Sequence, residues 1–253
     1  MRLAGKVAII TGGSSGIGLA SARLCAKEGA AVTIADLDEE RGEAAAREIR
    51  DSGSRALFLR CDVAVESDVK AVVDRTAKEF GPPTVLFNNA GAAGPAGWDA
   101  DEAGLDTLLA VNVKGVYWGF KYVIPYMKEA GGGSIISTAS TAGIGGGAIL
   151  IPAYSATKGA VVIFTKNAAL NLAEHNIRAN AIAPGPIDTP MSPKFFPGVA
   201  DPMSLRAQRV AQSPMKRSGQ PEEVAWVVVF LASDESSYVN GVIIPVDGGL
   251  SAR

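Results

Sequence analysis

The 253-residue chain predicts an α/β fold, a doubly wound parallel sheet with helices on both faces, in a single domain spanning residues 1–253. Three observations predict it. Short apolar runs rich in Val and Ile recur along the chain, as strands buried on both faces require. Segments with helical spacing alternate with them, two to six turn-like residues apart, the pattern of parallel strands joined by crossover helices. Glycine, 29 of 253 residues, is about 11% against ~7% in average proteins and clusters where the apolar runs stop. The composition does not shift midway, and a parallel sheet can hold this length around one core.

The elements follow in order. A strand over Val7 to Ile10 enters the turn Thr11-Gly12-Gly13-Ser14-Ser15-Gly16-Ile17-Gly18, and a helix runs from Ile17 to Glu28. A second strand, Ala31 to Ala35, ends at Asp36 and precedes a helix over Glu39 to Arg50. Leu57 to Leu59 and Val85 to Phe87 are strands around a helix over Ser67 to Phe80. Asp101 to Ala130 is a long helical stretch, interrupted by Pro125 and closed by Gly131 to Gly133, which covers much of one sheet face. Strands at Ile135 to Ile136 and Ala179 to Ile182 flank a helix headed by Tyr154. Seven of the 14 prolines then fall between Pro184 and Pro214, and this irregular segment, about residues 188–217, is expected to form a lid over the substrate site. A helix over Glu222 to Leu231 and a strand over Val242 to Val246 complete the chain.

Several function classes are excluded early. Lys plus Arg number 24 and Asp plus Glu 26, a formal net charge of -2 with no basic run, so the footprint of a nucleic-acid or acidic-membrane binder is missing. The longest apolar stretch, Val224 to Ala232, has nine residues against the ~20 of a membrane helix. The N-terminus has no cleavable apolar region, which predicts a cytoplasmic protein. Cys25 and Cys61 match no paired metal-ligand spacing and read as small core residues. With His175 the one histidine, metal sites and His-based triads are not expected.

The first turn points to a dinucleotide. A strand-turn-helix of this kind presents backbone N–H groups and the positive end of the helix dipole to a phosphate, and glycines let a pyrophosphate approach. The spacing of Gly12, Gly16 and Gly18 is G-x-x-x-G-x-G, not the commonest fingerprint. Asp36, eighteen positions beyond Gly18, discriminates between the cofactors: a carboxylate at that strand end accepts hydrogen bonds from an adenosine ribose and repels the extra phosphate of NADP. Ser15 and Leu37 offer no cation for a 2′-phosphate, so NAD is favoured. The alternative is that Asp36 merely caps the next helix.

Chemistry is expected at Tyr154 and Lys158. Four residues apart on a helix, they share a face, and the ammonium can favour the ionised phenol. Lowering a tyrosine from about 10 to about 7 needs about 4 kcal/mol, to which an oxidised nicotinamide would contribute. Such a phenol donates a proton to a carbonyl or takes one from an alcohol.

Together these features resemble the short-chain dehydrogenase/reductase family over nearly the whole chain. The matching residues are the Thr11 to Gly18 turn, Asp62-Val63 after the third strand, Asn88-Asn89-Ala90-Gly91 after the fourth, Asn112, Ser140, Tyr154 with Lys158, and Pro184-Gly185 leading to Thr189. The resemblance implies a Rossmann-type, seven-stranded sheet with active groups at its C-terminal edge. It implies that Tyr154 is the acid/base, that Lys158 lowers its pKa and binds the nicotinamide ribose, and that Ser140 orients the reacting oxygen. Asn112 would hold a water linking Lys158 to solvent. Gly12, Ser14, Ser15, Gly16, Ile17 and Gly18 would cradle the cofactor, Asp62 and Val63 would flank adenine, and Asn89 and Gly91 would border the cofactor ribose. Beyond Pro184 and Gly185, Ile187 and Thr189 would hold the carboxamide. Family members are commonly homotetramers, and Val224 to Leu231 and Gly241 to Gly249 resemble the segments that pair between subunits.

Alternatives stand beside several of these. Asn88 is expected to tie strands together through its amide, and Asn112 to kink or satisfy its own helix if it is not catalytic. Ser140 competes with Ser137, Thr138 and Thr141 as a carbonyl partner, Thr189 with a role as helix cap, and His175 reads as a solvated helix-end residue. Ser140 and Tyr154 are fourteen positions apart, one more than in the commonest family form. Asn176 stands where glycine often ends the helix, and Asn240-Gly241 replaces a frequent threonine-glycine pair.

The expected function is hydride transfer between NAD(H) and a small or medium secondary alcohol or ketone. Met191, Phe195, Phe196 and Met203, with Ile144, Leu150 and Ile151, suggest an apolar pocket. The alternatives are a 3-oxoacyl-thioester reductase, served by a basic patch of Lys194, Arg206, Arg209, Lys216 and Arg217 for an acidic carrier protein, and a non-catalytic NAD-binding regulator.

Overall fold

The computed structural model describes residues 1–94, 97–145, 151–191 and 202–252, the side chains of residues 202, 203 and 205 aside. Seven strands, β1 (Val7–Thr11), β2 (Ala31–Asp36), β3 (Ala56–Arg60), β4 (Val85–Asn88), β5 (Gly133–Thr138), β6 (Ile177–Pro184) and β7 (Ile243–Val246), form one sheet in the order β3-β2-β1-β4-β5-β6-β7. Every pairing is parallel. The order reverses between β1 and β4, where Ala8 pairs Val32 on one side and Val85 on the other. Chain ends diverge at that point and leave a crevice at the C-terminal edge of the sheet.

The strands bury both faces because their side chains alternate between two cores. Ala8 and Ile10 pack on one face with α1 (Gly16–Lys27), α2 (Glu39–Asp51) and α9 (Pro221–Ala232). Ile9 packs on the other with α3 (Glu66–Phe80), α5 (Gly115–Glu129) and α7 (Pro152–Leu172). The remaining helices are α4 (Glu102–Leu109), α6 (Thr141–Ile144) and α8 (Pro202–Gln212).

One expectation changes on contact with the structure. The long helical stretch is not broken at Pro125, which lies inside α5. Its irregularity is a π-helical turn, Ala110–Lys114, between α4 and α5. Within the apolar run of α9, Val224, Val228, Val229 and Leu231 are fully buried within the chain, with α9 packed on α1, while Trp226 is 43% exposed. Further exposed apolar side chains sit on α4, α5 and α7, at Leu105, Tyr117, Ile163 and Leu170.

Asn176 adopts the left-handed conformation, φ 57 and ψ 26, which asparagine tolerates. The structure also explains Asn240. Its Oδ1 accepts the Ala179 N–H at 2.9 Å and its Nδ2 donates to the Ala169 carbonyl at 3.0 Å, so one side chain ties β6 to α7. Among the described residues no helix is long and apolar enough to cross a membrane.

Candidate active site

A cavity of about 610 Å³ opens along the C-terminal edge of the sheet, from Asp36 and Arg41 at one end to Tyr154 and Arg209 at the other. Ligand cavities commonly have this size. It is lined by the predicted residues Gly12, Ser14, Ser15, Gly16 and Ile17 of the first turn, and by Asp36, Asp62, Val63, Asn89 and Gly91. Ser140, Tyr154, Lys158, Pro184, Gly185, Ile187 and Thr189 complete the predicted set on its wall. Gly18 and Asn112 stand behind that wall.

The turn is shaped by backbone packing. Ser15, the N-cap of α1, makes no side-chain cap, so that hydroxyl leaves first-turn N–H groups of α1 unsatisfied. A Cβ on Gly18 would overlap the Gly12 carbonyl oxygen, which is why only glycine lets α1 start this close to β1. Asp36 is held at both oxygens: Oδ2 accepts the Ser14 N–H at 3.0 Å and Oδ1 the Asp38 N–H at 3.1 Å. It is not the cap of α2. That role falls to Asp38, which accepts the Arg41 N–H at 3.0 Å.

The tie expected of Asn88 is made by Asn89, which also lines the cavity. Asn89 Nδ2 donates to the carbonyls of Thr11 and Gly12 at 3.1 and 3.2 Å and so ties β4 to the first turn. The buried Nδ2 of Asn88 finds no partner among the described residues. Asn112 is fully buried; its Oδ1 accepts the Ala92 N–H at 2.8 Å, and its Nδ2 donates to the Ala92 carbonyl and to Thr157 Oγ1 at 3.0 and 3.1 Å. Both amide hydrogens are consumed, so the side chain positions the segment after β4 and has none left to give a water.

The chemical end is built from two helix starts. Tyr154 lies in the first turn of α7, beyond Pro152, and Lys158 follows one turn later. Ser140 caps α6, its Oγ accepting the Ala142 N–H at 3.2 Å, and is hydrogen-bonded to Tyr154. The competing hydroxyls are otherwise engaged or idle: Thr138 Oγ1 donates to Asn89 Oδ1 at 3.4 Å, Thr141 Oγ1 accepts from Arg209 Nη2 at 2.9 Å, and buried Ser137 Oγ has no partner.

Burial opposes the depression of the tyrosine that the sequence predicts. Burial pushes the Tyr154 phenol up to about 12, against smaller downward pulls from the Ser140 hydrogen bond and the Arg209 charge. Burial pushes the Lys158 ammonium down to about 8. Desolvation penalises both charged forms. Lys158 Nζ donates to the Thr138 carbonyl at 2.8 Å and sits 5.7 Å from the Tyr154 ring centre.

Of the expected apolar lining, Ile151 and Met191 reach the cavity, while Ile144 packs against the core. Phe195, Phe196, Leu150 and Lys194, and the Met203 side chain, lie outside the described residues. Residues 188–191 and α8, parts of the expected lid, form one wall. Arg206 and Arg209, three apart on α8, turn into that wall rather than onto a surface patch. Arg206 pairs with Asp188 at 2.8 Å and Arg217 with Glu223 at 2.6 Å. Arg41 was also missed as a lining residue, and its charge is engaged by Asp38 at 2.6 Å. The i, i+3 spacing of the α8 arginines was the available signal for a shared face.

The family described as Enoyl-(Acyl carrier protein) reductase matches residues 12–251. The chain is 41% identical over 254 residues to the 2,5-dichloro-2,5-cyclohexadiene-1,4-diol dehydrogenase LinX of Sphingobium indicum, covering 99% of this chain and 98% of that protein. It is 42% identical over 249 residues to a cis-4-hydroxycyclohexanecarboxylate dehydrogenase of Sinomonas cyclohexanicum, covering 98% and 97%. Among solved structures it is similar to levodione reductase, with a TM-score of 0.93, 38% identity and 99% of each chain covered.

Proposed function

Since the chain belongs to the short-chain dehydrogenase/reductase family and is an oxidoreductase of that family, we propose that it oxidises a cyclic secondary alcohol to its ketone, reversibly, with NAD as cofactor. The observation that carries this is the joined hydroxyls of Tyr154 and Ser140 with Lys158 one helical turn away, all facing a cavity whose far end holds the Asp36 carboxylate. Both relatives named above act, by their names, on hydroxyl groups of six-membered rings.

The residues present fit NAD. Gly12 to Ile17 offer backbone at the start of α1 for a pyrophosphate, and Asp36, fixed by two backbone N–H groups, would accept the adenosine ribose hydroxyls. Asp62 and Val63 would flank adenine, Asn89 and Gly91 the adjoining ribose, and Pro184, Gly185, Ile187 and Thr189 the nicotinamide end. Bound there, NAD supplies the acceptor for the hydride of the alcohol C–H. Ser140 Oγ orients the substrate oxygen, and Tyr154 Oη exchanges the proton with it. With its pKa near 12, Tyr154 stands protonated at neutral pH, ready to donate in the reductive direction. For oxidation it must ionise, and the positive charges of Lys158 and Arg209 beside it favour that form.

Incubating the protein with NAD and a panel of cyclic secondary alcohols, with NADP and open-chain alcohols as contrasts, tests the assignment by absorbance at the NADH band. NADH formation confined to cyclic alcohols supports it, and equal efficiency with NADP overturns the cofactor choice. Asp36→Ala should erode the NAD preference by about 10–100-fold, the worth of hydrogen bonds to a charged group. The family description favours one other substrate, an acyl thioester; reduction of acetoacetyl thioesters in preference to cyclic ketones would select it. Against it stand Arg206 and Arg217, whose charges are already paired with Asp188 and Glu223.

A further inference from the structure

The two ends of the cavity carry opposite charge. Asp36, Asp38 and Asp62 line the far end, whereas no carboxylate lines the wall around Tyr154 among the described residues. Three cations do. Lys158 is turned to the Thr138 carbonyl, and Arg206 is neutralised by Asp188. Arg209 has no acidic partner among the described residues. Its Nη2 donates to Thr141 Oγ1 at 2.9 Å, the residue after Ser140, and its charge is felt at Tyr154. Thr141 is itself buried, so the guanidinium is anchored at Nη2 while the residue lines the cavity.

A guanidinium keeps its charge at any physiological pH and offers five donors in a plane that matches a carboxylate. Leaving such a group half-buried, on a cavity lined also by apolar Ile151 and Met191 and without a counter-charge among the described residues, costs stability that a bound anion would restore. We propose that Arg209 is a specificity-determining residue that binds a carboxylate carried by the substrate, so that the preferred substrate is a hydroxy acid or keto acid with an apolar body between the two oxygen functions. This rests on the dehydrogenase assignment for the site, and it adds the anionic class of substrate and the residue that recognises it. Arg206 lies one turn earlier on the same helix and does not substitute, because Asp188 already occupies it.

The probe is a matched pair with one apolar ring: cyclohexanecarboxylate and cyclohexanecarboxamide, titrated calorimetrically into the protein with NADH present. A second readout is kcat/KM for ring alcohols bearing a carboxylate or a carboxamide. Wild type should favour the carboxylate by about tenfold or more in both, as a charge-assisted bidentate contact predicts. Arg209→Gln should bring the ratio near one with NADH affinity unchanged, and Arg209→Lys should restore part of it. A wild-type ratio near one, equal weakening of both probes in Arg209→Gln, or loss of NADH affinity in place of carboxylate preference overturns the proposal. Turnover of neutral ring alcohols with no carboxylate preference would remove Arg209's role and leave the dehydrogenase assignment standing. Carboxylate-selective binding, lost in Arg209→Gln, without oxidation of any alcohol would do the reverse.

Discussion

Tyr154 and Lys158 are moved by the same burial in opposite directions, and each shift has a measurable consequence. Lys158 titrates near 8 in the folded chain against an ordinary 10.5, so between those values the unfolded chain binds more protons. Stability of the cofactor-free protein therefore rises with pH across that window, and the penalty is fully present below pH 8. The full span is worth about 3 kcal/mol. Denaturant titrations of wild type and Lys158→Met from pH 7 to 10 should show wild type gaining on the variant by an amount of that order; a constant difference would contradict the shift. Tyr154→Phe should reduce turnover by about 10²–10⁴-fold, the usual worth of a positioned proton donor, with NADH affinity unchanged in a fluorescence titration. Normal turnover would remove Tyr154 from the reaction.

At the scale of elements, the site depends on how closely α6 approaches α7. A Cβ on Gly143 would stand 2.6 Å from the Lys158 carbonyl carbon, closer than any real contact, so Gly143→Ala must part the two helices and draw Ser140 from Tyr154. Displacement near 1 Å costs catalysis about 10²-fold; kcat should fall by that order while NADH still binds, and an unchanged kcat would show that α6 does not set the geometry. Much of this was legible beforehand because it is local. The strand, glycine turn and helix from Val7 to Lys27, the acid ending β2 and the Tyr154–Lys158 spacing are written in neighbouring residues. What was not legible depends on partners far along the chain. The helical period is alike on both sides of Asn112, so nothing marked the π turn, and Pro125 drew the eye instead. Whether Arg209 faces water or the cavity is fixed by how α8 docks after an irregular segment, and the two links made by Asn240 join elements about 60 to 70 residues away.

For the whole molecule, the exposed Leu105, Tyr117, Ile163 and Leu170 on α4, α5 and α7, with Trp226 on α9, are the apolar side chains available to the homotetramer that the family resemblance leads us to expect. Sedimentation velocity should give a particle of four chains, and the double variant Tyr117→Glu, Leu170→Glu should sediment as a smaller species; a wild-type monomer would refute the assembly. The π turn, Ala110–Lys114, joins two of these helices, α4 and α5. Its five residues hold one more than a turn of α-helix needs, which rotates whatever follows by about 100° relative to whatever precedes. Accordingly α4 leans on α7 while α5 leans on α3. A single rod thus serves two neighbours on different sides, and excising one residue there would swing the downstream stripe out of phase, moving the exposed Tyr117 and the seat of Ala92 together.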